Sequence, residues 1–218
     1  MTISVLYRDE DLIVVDKPAG VLSVPDRYDP DAPVLIRELA KTEGELLVVH
    51  RLDKDTSGVL IYARNAEAHR LLSLAFEERK VSKTYLSIVR GSPLWDETLC
   101  ELSLRTDGDR LHRTLIDEGK GSKEARTAFK VIERFRSGSF SATLVEARPE
   151  TGRTHQIRVH LAALGFPVLC DPLYGDGHHL VLSKIKGKWK GDTWAERPLL
   201  SRTALHAASV EFPHPRTG

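Results

Sequence analysis

The stretch that decides the fold runs from residue 46 to residue 62: Leu46-Leu47-Val48-Val49-His50-Arg51-Leu52-Asp53-Lys54-Asp55-Thr56-Ser57-Gly58-Val59-Leu60-Ile61-Tyr62. Two apolar runs, Leu46–Val49 and Val59–Tyr62, read as strands. The polar segment between them is too short and too hydrophilic for a helix, so strand ends hold it at the rim of a sheet. A rigid scaffold presenting a polar loop is a common arrangement for catalysis. Several chemistries fit the residues. Ser57 could belong to a Ser-His-Asp triad, although the G-x-S-x-G elbow is absent. Asp53 and Asp55 could hold magnesium, because hard cations take carboxylates. Asp53 could instead be a nucleophile or base kept ionised by Arg51. A plain turn also suits Asp, Thr, Ser and Gly.

Working outward, Leu12-Ile13-Val14-Val15 is the first strand, closed by Pro18 and Gly20. Residues 34–41 have helical spacing. Asn65 is placed to cap a helix over 66–79 whose inner stripe is Ala68, Leu71, Leu72 and Ala75. Residues 84–89 and 99–104 read as strands. Residues 127–135 and 140–147 alternate and are joined by Arg136-Ser137-Gly138-Ser139, a hairpin signal. Gln156 to Leu164 reads as a helix stopped by Gly165, and Ala204 to Phe212 as a last strand. This order lacks a regular βαβα alternation, so the expectation is an α+β fold in one domain, 1–218.

The 218 residues are 41% hydrophobic and 29% charged, which excludes a disordered, collagenous or coiled-coil chain. Cys100 and Cys170 are too few for a disulfide framework or a four-thiolate zinc site. No apolar run approaches the ~20 residues of a membrane span, and Met-Thr-Ile-Ser does not open a signal peptide. These features point to a reducing cytoplasm. Net charge is +1, but it is unevenly distributed. Residues 1–50 carry five basic against ten acidic side chains, residues 184–202 six against two, and residues 105–136 nine against six. Sorted charge of this kind presents a basic face to a polyanion or simply solvates the surface. Lys184, Lys186, Lys188 and Lys190 alternate with Ile185, Gly187 and Trp189. On a strand or extended loop that period puts the lysines on one side.

A second polar cluster is Arg148-Pro149-Glu150-Thr151-Gly152-Arg153-Thr154-His155-Gln156-Ile157-Arg158-Val159-His160. Thr151-Gly152 turns the chain, and Arg153, His155 and Arg158 crowd the first turns of the helix that follows. Free amides there favour an anion. Lys83-Thr84-Tyr85 puts a tyrosine at the start of a strand.

The string HRLDKDTSG at 50–58 closely resembles the H-R-L-D-x-x-T-S-G signature of the RluA-type pseudouridine synthases. Asp11–Gly20, Lys83-Thr84-Tyr85, Thr151–Leu161 with Gly165 and Asp171-Pro172-Leu173-Tyr174-Gly175, and Leu205-His206-Ala207 with Phe212-Pro213-His214-Pro215 are similar to the family's other motifs, in its order. The resemblance spans nearly the whole chain. It implies the pseudouridine synthase catalytic fold, a mixed, mainly antiparallel sheet flanked by helices and loops. It implies an isomerase that converts uridine to pseudouridine within rRNA or tRNA, with no cofactor and no metal. Asp53 matches the essential catalytic aspartate. Tyr85 matches a tyrosine against the target base, Arg158 an arginine that pairs with that aspartate, Arg51 an RNA contact, and Leu205 an apolar residue of the base pocket. Arg153, His155 and the four lysines are expected to face RNA. The expected partner is structured RNA with a flipped uridine, no membrane is involved, and the chain acts as a monomer. About ten residues precede the first strand, so the resemblance is to the compact members without an N-terminal RNA-binding domain. The chain ends where relatives usually continue through another strand. A noncatalytic RNA-binding protein or chaperone on the same fold, and a metal nuclease using Asp53 and Asp55, are the competing classes.

Overall fold

The computed structural model describes residues 3–26, 32–111, 113–192 and 195–218. Arg27, Asp29 and Asp31 of the acidic N-terminal tally, and positions 193–194 of the lysine-rich segment, lie outside the described residues. The chain gathers into two compact units, Met1–Thr84 with His206–Gly218 and Tyr85–Leu205. Strands dominate and helices are few, an α+β arrangement.

The first unit contains β1 (Ser4–Arg8), β2 (Leu12–Lys17), α1 (Leu35–Glu43), β3 (Leu47–Val48), β4 (Ser57–Ala63), α2 (Ala66–Glu77) and β11 (Leu205–Glu211). Its strand order is β1-β2-β4-β11, and β3 pairs with the end of β4 at Ala63 and Tyr62. The pairings are antiparallel except that of β4 with β11. Six of the seven β4 residues are buried, which is why its sequence is an unbroken apolar run rather than an alternation. Leu12, Ile61 and Ala63 of the sheet pack with Ala68 and Leu72 of α2. Asn65 caps that helix by accepting the Ala68 N–H at 2.8 Å.

β1 corrects the reading that Leu12–Val15 is the first strand. Ser4–Arg8 is exposed at every position. It therefore carries no buried-exposed alternation for a sequence to display, and its register against β2 shifts between Val5 and Tyr7.

Gly58 is fixed by the tertiary structure. Its φ is +115°, and a Cβ there would lie 2.1 Å from the Ala207 carbonyl oxygen on β11. Gly58→Ala is expected to lose about 2–4 kcal/mol, combining left-handed strain with a backbone clash. Urea unfolding of the variant measures this, and a wild-type midpoint would contradict the close approach.

The second unit contains β5 (Ser82–Arg90), β6 (Glu97–Cys100), β7 (Leu104–Arg105), β8 (Leu115–Ile116), β9 (Thr127–Ser137), β10 (Phe140–Pro149), α3 (Gln156–Ala163) and α4 (Leu182–Ile185). Its antiparallel order is β5-β10-β9-β6, with β7 and β8 forming a separate two-stranded ribbon. The core includes Val89, Phe129, Val145, Ile157, Leu161 and Leu205. The β9–β10 hairpin is tighter than the sequence suggests. Ser137 pairs with Phe140, and Gly138 turns the chain at φ +58°. The expected strand over 99–104 is broken at Cys100. Beyond it the Leu102 carbonyl is taken by His160 and the Ser103 carbonyl by the Asp117 amide, so neither extends a sheet ladder. Among the described residues no helix is long and apolar enough to cross a membrane.

Candidate active site

In the first unit, β3 and β4 deliver the loop from Val49 to Thr56. Its backbone is braced from below by the segment that follows β2. Ser23 Oγ accepts the Leu52 N–H at 3.1 Å and donates to the Leu52 carbonyl at 2.8 Å. Lys17 is fully buried, and its ammonium donates to the carbonyls of Pro18, Val21 and Lys54 at 2.9, 2.7 and 2.9 Å. Three donors meet three acceptors, which makes burial of that charge tolerable. The Gly20 N–H also reaches the Lys54 carbonyl, at 2.8 Å, and Tyr62 Oη donates to the Ser23 carbonyl at 2.8 Å. Both neighbours of Asp53 are thus pinned through their backbone. Asp53 sits between them half-exposed, its carbonyl closing a turn with the Thr56 N–H at 3.2 Å. Arg51 is exposed on the same loop.

His50 anchors the start of the loop. Its Nε2 accepts the Ile61 N–H at 3.1 Å, and its ring stacks on Phe76 with centroids 4.7 Å apart. Burial, with the nearby Lys83 charge, pushes the imidazole down to about 3. An unfolded imidazole takes its proton near pH 6.5. Between these values the unfolded chain binds more protons. Stability through this group is therefore present above about 6.5 and is lost as pH falls toward about 3, at up to ~1.4 kcal/mol per pH unit. His50→Gln, which still accepts the Ile61 amide, is expected to flatten that component. Urea midpoints measured from pH 7 to pH 4 check it, and parallel profiles for the two proteins would refute it.

Ser57 is buried, and its hydroxyl meets His206 Nδ1 at 2.9 Å, directly across the β4–β11 pairing. Among the described residues, the cluster with metal-ligand geometry is Asp9, Asp11 and His214 rather than Asp53 and Asp55. Hydrogen bonds already fill it. Asp9 accepts the amides of Asp11 and Leu12, the Tyr7 hydroxyl and His214 Nε2. Asp11 accepts from Asn65 and Arg216. Burial pushes the Asp9 carboxyl up, but those donors outweigh it and hold the group well below the usual carboxylate range. The cluster is a clasp between the β1–β2 turn and the C-terminal residues.

In the second unit the Thr151–Leu161 motif divides by role. Gln156 is buried. Its carbonyl oxygen accepts from Thr151 Oγ1 and the Arg153 N–H, and its amide donates to the Arg126 carbonyl and Thr127 Oγ1. His160, also buried, spans Thr127 Oγ1 and the Leu102 carbonyl at 3.0 Å each. These two residues tie α3 to the sheet. Arg158 is 3% exposed and makes a two-pronged bond to Asp171, Nε to Oδ2 at 2.7 Å and Nη2 to Oδ1 at 2.8 Å. Its guanidinium carbon lies 5.2 Å from the Tyr174 ring centre. Asp171 Oδ1 also accepts the amides of Leu173 and Tyr174. Burial raises the Asp171 carboxyl, but Arg158 and those amides outweigh it and keep the pKa lowered. His155 adopts a left-handed backbone, φ +55°, and its Nδ1 lies 2.9 Å from Tyr174 Oη. Arg153 Nε donates to the Glu124 carbonyl at 3.1 Å.

Tyr85 stands opposite Ala147 in the β5–β10 pairing, partly buried against the core. Leu205 is 4% exposed within that core. Sequence reasoning missed Lys17, Ser23 and Asp171 as side chains that position the loop and Arg158. Lys17 and Asp171 lay inside quoted motifs, but their partners are 37 and 13 positions away.

The lysine segment departs from expectation. Residues Leu182–Ile185 form a short helix, and Gly187-Lys188 turn. The Ser183 N–H and hydroxyl both donate to Glu196, and the Lys186 N–H returns to the Leu182 carbonyl. That winding breaks the two-residue period. The lysines are exposed, with Ile185 and Trp189 partly buried, but they do not share one side of a strand.

Compared with known proteins, residues 11–163 match the family model described as RNA pseudouridylate synthase. The chain is similar to ribosomal large subunit pseudouridine synthase D of Xanthomonas campestris pv. campestris, 40% identical over 99% of this chain and 63% of that protein. It is 33% identical to tRNA pseudouridine synthase C of Haemophilus ducreyi, over 100% of this chain and 88% of that protein. Among solved structures it resembles human RNA pseudouridylate synthase domain containing 1. The TM-score is 0.75 at 30% identity, covering 98% of this chain and 79% of that one. The chain spans just under two thirds of the length of the synthase D relatives it matches.

Proposed function

This chain belongs to the RNA pseudouridylate synthase family, and we propose that it isomerises uridine to pseudouridine within RNA. The observation that carries the reading is the placement of Asp53, a half-exposed carboxylate on a loop whose backbone is braced on both sides by Lys17 and Ser23. A carboxylate held in place before substrate arrives can attack a sugar or base carbon or remove a sugar proton. The reaction breaks the bond from ribose to N1 of uracil and joins the ribose to C5. The C5 proton is lost and N1 gains one, so atoms balance with no cofactor.

The names of the relatives favour rRNA or tRNA as substrate, which places the work in the cytoplasm. An enzyme acting on a base first takes it out of the stack, which costs a few kcal/mol. Looped RNA with a flipped uridine lowers that cost. In this reading Asp53 is catalytic and Arg51 contacts RNA beside it. In the unit Tyr85–Leu205, Tyr85, Arg158 and Leu205 face substrate. Arg153, His155 and Lys184, Lys186, Lys188 and Lys190 supply donors to phosphates.

The test is incubation of bulk RNA with the protein in EDTA, followed by nucleoside analysis. Pseudouridine in intact RNA supports the proposal. Intact RNA without pseudouridine makes the chain an RNA-binding protein only, and cleavage in EDTA makes it a metal-independent nuclease.

A further inference from the structure

The unit Tyr85–Leu205 contains a cavity of about 290 Å³ that none of the roles above uses. Arg90, Lys184, His178 and His179 line it, with Asp176 and the ring of Phe140. Its walls come from three separated parts of the chain: the end of β5, the start of β10 and the loop after Tyr174. The loop is built rather than loose. The amides of Gly175 and Gly177 both reach the Asp171 carbonyl at 3.1 Å. A Cβ at Gly175 would lie 3.0 Å from the carbonyl oxygens of Asp171 and Val168, and Gly177 has φ +65°. Asp176 forms an ion pair with Arg90 and accepts the His178 amide at 3.1 Å. The residue that grips Arg158 through its carboxylate thus folds this wall through its carbonyl.

We infer that the cavity is a second RNA contact, holding one nucleotide with its phosphate on Arg90 and Lys184 and its base against Phe140. The volume sits at the small end of ligand pockets, ~300–1,000 Å³, which suits one nucleotide and not a large cofactor. Two fixed cations against one carboxylate leave a net positive site, and the two imidazoles add ring nitrogens that can hydrogen-bond. A cation beside an aromatic ring is the combination that holds unstacked RNA nucleotides. Of the four alternating lysines, Lys184 lines this cavity, which is why it is singled out. The inference rests on RNA being the ligand, while the same chemistry would also hold a free nucleotide.

The experiment measures affinity for a uridine-containing loop RNA over a salt series, with UMP as the free-nucleotide probe. The double variant Arg90→Gln/Lys184→Gln is expected to flatten the slope of log affinity against log salt by about 1.4, from ~0.7 per phosphate contact. Arg90→Lys/Lys184→Arg keeps both charges and should restore the slope. Phe140→Leu keeps the apolar wall and should weaken RNA about tenfold without changing the slope, because a stacked base is lost. If the glutamine pair does not fold, Phe140→Leu decides, and unaltered affinity overturns the inference. An unchanged slope in a folded glutamine pair also overturns it. So does UMP binding that the variants abolish while RNA affinity stays intact. Pseudouridine formation by the wild-type protein is scored separately, so the activity can fail while the contact stands, or the reverse.

Discussion

Replacing Asp53 by asparagine is expected to lower the rate of pseudouridine formation by ~10⁴-fold or more, the scale of other nucleophile and base knockouts, while RNA still binds. The brace explains why the two effects separate. Lys17 and Ser23 grip the carbonyls and amide of Leu52 and Lys54. The substitution therefore changes the carboxylate and leaves the loop where it is. Asparagine matches the shape but is neither a nucleophile nor a base of comparable strength. Single-turnover measurement on a loop RNA, beside a gel-shift affinity, reads the rate and the binding independently. A variant retaining a tenth of the wild-type rate would show that another group does the chemistry.

Asp171→Ala is expected to be the most damaging change in the second unit, at ~3–5 kcal/mol of stability. The side chain is completely buried and takes two bonds from Arg158 and two from backbone amides. Its removal leaves a buried guanidinium without that counter-charge, in a setting where water cannot replace it. Arg158→Met with Asp171→Asn tests the cause. Asparagine still accepts the amides of Leu173 and Tyr174, and the buried charge is gone, so much of the stability should return. Activity should not return, because Arg158 is proposed to face substrate. Thermal unfolding and nucleoside analysis of the single and double variants read the two effects apart. A double variant that is both stable and active would make the Arg158–Asp171 pair purely architectural.

The elements that sequence reading places best are those with a strong local cause. Asn65 predicts its own helix because an Asx side chain satisfies an amide three residues on. The β9–β10 hairpin follows from two alternating runs around a glycine, and α3 stops at Gly165, whose φ is +87°. β1 is illegible because none of its side chains is buried. The lysine segment is misread because its period of two is set by exposure and not by strand geometry. Glu196, ten or more positions away from the lysines' start at 184, supplies the bonds to Ser183 that let the chain wind instead.

The same division holds for the site. The sequence by itself determined the α+β class, the order of motifs and the polar loop containing Asp53, because hydrophobic periodicity, turn residues and caps act over a few positions. Only the tertiary structure decided what each motif residue does. It buried Lys17 beneath the loop, brought the Ala207 carbonyl against Gly58, and matched Arg158 with Asp171. It also turned Gln156 and His160, which look like site residues, into ties between α3 and the sheet. Each of these assignments depends on which distant backbone carbonyl, amide or carboxylate ends up within about 3 Å of a side chain. That distance is set by how the whole sheet packs, and no short window of sequence contains it.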